Sequence, residues 1–341
     1  MVSEGEPEPV RGVSPYPPIG PPAPGGARPF WSVMIPLCDP DPAHLRAGLG
    51  ALLLQEPDRA DMEIVLVDDA SSDIAWLDPW LADLELGDCL RLVRQEHRVG
   101  IGGNWNDCVR HARGEWVHIL HQDDLVRPGF HDRLRSLIGD CPDAGAAFCR
   151  DTVIDDTGRT VGSQRLIRPT PGIVDDWIEH VFVGLHLRAS ALVVRRAVYE
   201  ALGGFRLDLD YALDWDMWKR IAAAWPLAYW PEALVSYRRH AASASNGFQR
   251  SGANLVEIAR SIALSEALLP SQSAAATTRR TRENYARYGA NLAWTALADG
   301  DLRTAGAQLR GARRLGSTRV VARALLQQAQ RAWRVARTPP R

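Results

Sequence analysis

The chain has 341 residues, 46% hydrophobic and 24% charged, with 40 Lys plus Arg against 41 Asp plus Glu. That length allows one large domain with an appendage or two domains, the charge balance selects no partner, and no run approaches the ~18 uninterrupted apolar residues of a membrane span. Five cysteines without a CxxC pair (Cys38, Cys89, Cys108, Cys141 and Cys149) argue against a structural zinc site and suit a reducing cytoplasm.

Residues 1–28 (MVSEGEPEPVRGVSPYPPIGPPAPGGAR) are rich in Pro and Gly and nearly without large apolar side chains, so they read as a disordered leader with no signal peptide. WSVMIPL (31–37) follows as a buried strand, then a helix marked by Leu45, Leu49, Leu52 and Leu53 at i, i+4, i+7 and i+8. MEIVLVDD (62–69) is a second buried strand, and LRLVRQ (90–95), WVHIL (116–120) and AAFCR (146–150) look similar, with a helix over 104–112 between the first two of these. SALVVRR (190–196) and LAYWPEALVSYRRH (227–240) add later strands. Strands alternating with helices predict an α/β sheet, largely parallel at first, with ligands outside the carboxyl ends of its strands. Beyond about Ser251 the chain is Ala-, Leu- and Arg-rich, and three or four helices are expected.

From Ser271 onward 14 arginines face three acids, a net of about +11. On a helical wheel of residues 320–337, Val321, Leu325, Ala329, Ala332 and Trp333 share one side, while Arg323, Arg331 and Arg334 turn away. This pattern fits peripheral attachment to an anionic membrane face. It also fits helices packed on the rest of the chain with solvated arginines. Few aromatics and no groove-reading motif speak against nucleic acid.

Three stretches offer chemistry. VDDASSD (67–73) puts two carboxylates at a strand end, where they can receive N–H or O–H donors from a nucleoside or cap the next helix. In WVHILHQDDL (116–125), extended geometry past Leu120 would set His121 and Asp123 on one face, turn Gln122 away and leave Asp124 to cap the turn into Pro128. A carboxylate there suits Mg²⁺ or Mn²⁺. His118 and His121 face opposite sides, so His118 reads as a core histidine and a zinc pair is not expected. In DLDYALDWDMWKRIAAAW (208–225), Asp214 shares the apolar side of the wheel with Met217, Trp218, Ile221 and Trp225, where a carboxylate needs a task or a capping role. Asp216, Lys219 and Arg220 fall opposite, with Asp216 expected as a surface partner of Arg220. GIGGNWND (100–107) lacks the third glycine of a dinucleotide fingerprint. YRRH (237–240) offers cations for a diphosphate or a solvated basic edge.

Taken in order, IPLCDPDP, VDDASSD, GNWNDCVRHARGEW, ILHQDD, GGFRLDLDYALDWDMWKR and YRRHAASAS resemble the family 2 glycosyltransferases of the GT-A fold, over roughly residues 31–245. The resemblance implies a Rossmann-like, mostly parallel central sheet flanked by helices over residues 29–250, followed by an Arg-rich helical extension over 251–341. It implies an inverting enzyme using a nucleotide-diphosphate sugar, a divalent cation (Mg²⁺ or Mn²⁺), and a glycan or lipid-linked acceptor. By position it implies nucleotide-sugar contacts from Pro36, Cys38, Asp68, Asp69, Asn106, His121 and Gln122, with Asp69 the more direct of the aspartate pair. It assigns Asp123 and His121 to the metal and Asp214 to the catalytic base. The sequence departs from the family pattern at His121 for the first acid of a D-x-D motif, at Cys38 for a base-stacking tyrosine, at Leu213 for a glutamate and at Trp105 for an arginine. Two other readings stand beside this one: a nucleotide-sugar-binding protein that has lost catalysis, favoured by His121 and Leu213, and a docking protein acting through its basic tail.

Overall fold

A computed structural model describes residues 15–22, 28–55, 61–184, 187–241 and 243–337. Its strands are β1 (Trp31–Leu37), β2 (Met62–Asp68), β3 (Leu90–Arg94), β4 (Trp116–Ile119), β5 (Leu125–Val126), β6 (Ala146–Ile154), β7 (Thr160–Ser163), β8 (Gly172–Ile173), β9 (Leu192–Arg195) and β10 (Leu227–Arg238). The helices up to the last strand are α1 (Pro42–Leu53), α2 (Leu77–Asp83), α3 (Gly100–His111), α4 (Phe130–Asp140), α5 (Trp177–Val183), α6 (Arg196–Leu202) and α7 (Leu213–Ala224). Five more elements of the same kind close the described chain as α8 (Ala244–Ser251), α9 (Ala253–Ser265), α10 (Ala274–Ala298), α11 (Leu302–Leu315) and α12 (Thr318–Arg337).

The strands form one sheet in the order β3-β2-β1-β4-β9-β6-β10-β5, with β7 on β6 and β8 on β10. β3, β2, β1 and β4 run parallel, β9 runs against both β4 and β6, and β6 and β10 are again parallel. All seven residues of β1 and of β2 are buried, as expected of parallel strands covered on both faces. Alternation along β1 sends Val33, Ile35 and Leu37 to a core with Leu45 and Leu49 of α1, and Met34 to the opposite core with Val65, Val67 and Val109. α1 starts cleanly because Asp41 accepts from the N–H groups of Ala43 and His44, with Pro42 just behind it.

The second core does not stop at residue 250. Leu255, Ile258, Ile262, Tyr285 and Ala290 belong to it together with Trp215, Met217 and Trp218. Thr281 Oγ1 donates to Phe182 O at 3.1 Å and Asn284 Nδ2 to Val183 O at 2.9 Å, fastening α10 to α5. The arginines of α12 at 319 and 323 are exposed while Val321 and Ala324 are buried, so the first half of this helix packs. No described helix is long and apolar enough to cross a membrane.

Two expectations are corrected. Residues 15–22, assigned to a disordered leader, lie against the fold: Ile19 is buried, Pro17 O accepts from Gly204 N at 2.7 Å, and Tyr16 stacks under Arg220 and Arg206 at 4.2 and 5.2 Å. A strap of this kind needs only one apolar anchor, because cation–π contacts and backbone hydrogen bonds do the rest. The remainder of the leader, 1–14 and 23–27, lies outside the described residues.

The second correction concerns α7. Asp216, Lys219 and Arg220, expected on a solvated face, are 1%, 0% and 5% exposed. The Asp216–Arg220 pair does form, at 2.9 Å, but inside the protein, where Arg220 also donates to Leu202 O and Gly204 O. The wheel separated polar from apolar residues correctly. It could not show that α9 and the 202–204 turn cover the polar side too. Asp216→Asn is therefore expected to weaken a buried ion pair, lowering unfolding free energy near the lower end of the roughly 3–5 kcal/mol typical of such a break. A urea midpoint unchanged from wild type would refute this.

Candidate active site

The sheet delivers its chemistry where β1, β2 and β4 end together. Asn104 on α3 ties the first two, donating from Nδ2 to Leu37 O and Val67 O at 3.2 Å each. Beyond Pro36 and Leu37, both buried, Cys38 is exposed, and its main chain is gripped by Gln122: Cys38 N donates to Oε1 at 2.9 Å and Nε2 donates to Cys38 O at 3.3 Å. Gln122 thus braces the loop after β1.

Asp68 and Asp69 are almost fully buried. Asp68 accepts from Ser71 N and Oγ at 3.3 and 2.5 Å, closing the loop after β2. Asp69 accepts from Val99 N and Gly100 N at 2.6 and 3.1 Å, which places its carboxylate at the N-terminus of α3, favourable for a negative charge. The capping alternative thus has structural substance, although the helix capped starts 31 residues later. Asn106 is corrected outright. It is wholly buried and spends its amide on Phe205, accepting from N at 2.7 Å and donating to O at 2.9 Å. Gly204 is needed beside it, since a Cβ there would lie 2.0 Å from Asn106 Oδ1. Asn106 locks α3 to the segment that leads into α7.

β4 ends at Ile119, and a turn follows in place of the expected extended strand, with Asp124 N bonded to His121 O. The turn gathers His121, Asp123 and Asp124, whose ligand atoms lie within 4.8 Å of one another. Asp124, expected to cap the way to Pro128, is completely buried instead; it accepts from Ser190 Oγ at 2.6 Å and Arg238 N at 2.8 Å. Burial first, and the charge of Asp123 second, push its carboxyl well above the usual range. Burial also lowers the affinity of His121 for a proton. Its Nδ1 stands 3.5 Å from Asp124, its ring packs 5.1 Å from Trp105, and its Nε2 is buried without a hydrogen-bond partner among the described residues. α1 presses against this turn, with the Cβ position of Gly48 only 2.7 Å from Asp124 O. His118 is the core histidine expected, bonded to Ser190 O at 2.8 Å and facing His131 at 3.3 Å.

The YRRH motif closes the same site. Arg238 is neither solvated nor turned to a ligand: it donates to Asp123 O, Asp155 O and Asp156 O and holds the turn from behind. His240 puts Nε2 2.9 Å from Asp123 Oδ2 and groups with His44 and Asp156 on its far side. The sequence reading took this histidine only as part of the basic YRRH motif and did not set it beside Asp123. Its position directly after a basic strand end was the available signal, but 117 residues separate it from Asp123.

Asp214 occupies the second position of α7 and opens onto a cavity of about 480 Å³. It is not the cap: Ala212 stands there without a side-chain bond, and Glu257 of α9 supplies the missing acceptor, taking the N–H groups of Asp210, Tyr211 and Ala212 at 2.9, 2.6 and 3.1 Å. Burial raises the Asp214 carboxyl to about 6, against the opposing pull of the Trp215 N–H (2.6 Å) and Arg188. Beneath it Lys219 donates to Ser261 O and Oγ at 2.9 and 2.7 Å, and burial lowers its ammonium to about 7. Arg188 links the two halves of the site. Burial disfavours its charge, but Tyr237, Asp151, Asp214 and Asp124 around it hold its proton more firmly than usual. Nothing in its local sequence marked Arg188, nor Glu257, since both act across the fold.

Comparison with known proteins gives three consistent results. The model of the family described as Glycosyl transferase family 2 matches residues 32–202. An uncharacterised protein of Mycobacterium tuberculosis (strain CDC 1551 / Oshkosh) is 33% identical over 231 residues, covering 64% of this chain and 69% of its own. The succinoglycan biosynthesis protein ExoO of Rhizobium meliloti (strain 1021) is 37% identical over 92 residues, 27% of this chain and 25% of that one. In structure, the mannosyltransferase PcManGT of Pyrobaculum calidifontis, in complex with GDP-Man and Mn²⁺, shares the fold with a TM-score of 0.56 at 20% identity, over 94% of this chain and 86% of that one.

Proposed function

The chain belongs to glycosyl transferase family 2, and from that membership we propose an inverting enzyme that moves a sugar from a nucleotide-diphosphate sugar to an acceptor hydroxyl in cell-surface polysaccharide or glycolipid synthesis. The observation that carries this reading is the cavity beside α7. Among the described residues that line it, Asp214 is the one carboxylate. A single displacement needs one base, whereas a double displacement would want a second carboxylate as nucleophile. A carboxyl raised to about 6 is poised to accept a proton near neutral pH. The succinoglycan protein's role supports the polysaccharide context.

We further propose that Asp123, with His121 and His240, holds Mg²⁺ or Mn²⁺. The donor set fits: a half-buried carboxylate, the unpartnered Nε2 of His121, and a second imidazole 2.9 Å from Asp123. Imidazole nitrogens beside carboxylate oxygen suit Mn²⁺ better than Mg²⁺, and the Mn²⁺ of the Pyrobaculum relative agrees. When bound, such a cation neutralises charge on the leaving diphosphate. Arg188 adds a fixed positive charge between the turn and Asp214, which takes the acceptor proton. On this reading Cys38, Asp68 and Asp69 frame the nucleoside, and each buried carboxylate keeps lone pairs beyond those its loop uses. Five free cysteines suit a cytoplasmic setting, with nucleotide-sugar donors at hand.

The test is a screen of UDP-, GDP- and dTDP-sugars for protection against thermal unfolding, with and without Mn²⁺. One nucleotide class should stabilise the protein only with the ion, by about 2.7 kcal/mol at a hundredfold excess over Kd. Indifference to every donor would defeat the proposal.

A further inference from the structure

We propose that the acceptor bears a phosphoryl group, bound by Arg287, Arg319 and Arg323, while its sugar lies in the cavity at Asp214; this rests on the transferase reading above. Residues 284, 287, 288 and 291 recur at i, i+3, i+4 and i+7, so one stripe of α10 faces the cavity. Tyr211, Trp215, Tyr285 and Tyr288 supply aromatic walls, and about 480 Å³ is an ordinary size for a small-molecule site. Asn284 and Asn291 each spend one amide atom on the protein, through Val183 O and Gln328 Nε2, which leaves the other polar atom for a sugar hydroxyl.

Arg287 also lines a second cavity of about 450 Å³ between α10 and α12, so one residue borders both spaces. There it is joined by Arg319 and Arg323, with Glu283 as the only acid among the described lining residues. Three guanidiniums against one carboxylate leave a charge of +2. A phosphate dianion matches that charge, and guanidinium forks bind its oxygens in pairs. A carboxylate would leave one positive charge without a partner. Glu283 bonds Arg287 at 3.2 Å with both side chains well exposed, a pairing a phosphate can displace at little cost. Farther along α12, Leu326 and Trp333, seven residues apart, are 63% and 56% exposed, so a lipid-borne phosphate would meet two apolar side chains on one stripe of a helix end otherwise rich in Gln and Arg.

The test uses the full chain. A hexose 1-phosphate and the matching methyl glycoside are compared by calorimetry without donor, and as acceptors with the donor found by the screen. A sugar on a prenyl diphosphate in neutral-lipid vesicles forms a third arm. The phosphorylated hexose should bind and react with a KM lower by roughly tenfold or more, the worth of one charge-assisted hydrogen bond. That advantage should shrink at high salt, and R319Q/R323Q should raise KM for the phosphorylated acceptor without a matching fall in kcat. Stronger use of the lipid-linked sugar than the soluble phosphate would support the proposal and name a lipid source. Equal use would support it and name the phosphoryl group alone. A methyl glycoside bound and used as well as either, or a preference indifferent to salt, would overturn it. If the donor binds and hydrolyses while this preference is missing, only the acceptor proposal fails. If no donor binds, the transferase reading fails, and calorimetry still reports on the phosphate site.

Discussion

Asp214→Asn is expected to keep donor binding and lose turnover by roughly 10²–10⁴-fold, the usual worth of a general base. The substitution keeps the shape of the side chain and an oxygen for the Trp215 N–H, and it removes only the proton acceptor. In the wild type, kcat/KM should rise with pH through a limb near 6, where burial sets this carboxyl, and the variant should lack that limb. Stability should move the other way. Because the folded-state value lies above that of a free aspartate, the folded protein holds a proton that the unfolded chain has released between about pH 4 and 6, so stability falls as pH rises through that window. Above it the penalty is on the order of 3 kcal/mol. The variant should thus resist urea better than the wild type at pH 8 and gain nothing at pH 4. Full turnover by Asp214→Asn would remove Asp214 from the mechanism.

Chelation should abolish transfer, with Mn²⁺ or Mg²⁺ restoring it, and Asp123→Ala should weaken metal-dependent donor binding. The reasoning is local. Asp123 is the half-buried carboxylate of the turn and faces His240, whereas Asp124 is committed to Ser190 and the Arg238 N–H. His121→Asp should keep or strengthen metal binding, as an added carboxylate suits a hard cation. Titrating Mn²⁺ into each variant by calorimetry separates metal loss from donor loss. Full activity in chelator would end the metal proposal.

The sheet was legible wherever burial is continuous along the chain. β1 and β2 show as unbroken apolar runs because both their faces are covered, and β4 shows the same way. α3 begins at Gly100, four residues before the expected start. Its first turn is glycine-rich, and its cap is Asp69, contributed by a distant strand end. α7 hid its cap for the same reason, since Glu257 arrives from another helix. The two-residue strands β5 and β8 carry too little pattern to register and exist only as partners of β10. Within the site, Asp123 stood out as a carboxylate just past the end of a buried strand, and Asp214 because it shares the apolar side of its helix. His240 and Arg188 did not, because only the fold brings them near.

Glu257 and Ser261 also bear on how this protein can be taken apart. Both lie past residue 250, yet one completes the start of α7 and the other receives the ammonium of Lys219. A chain cut after residue 250 would leave three main-chain donors open beside Asp214 and a lysine ammonium without its bonds in the core. Such a truncation would disable the transferase half even if every residue assigned to chemistry were kept. The same holds for chimaeras. A tail borrowed from a relative must bring a carboxylate at position 257 and a hydroxyl at 261, or the start of α7, and with it the proposed base Asp214, loses its support.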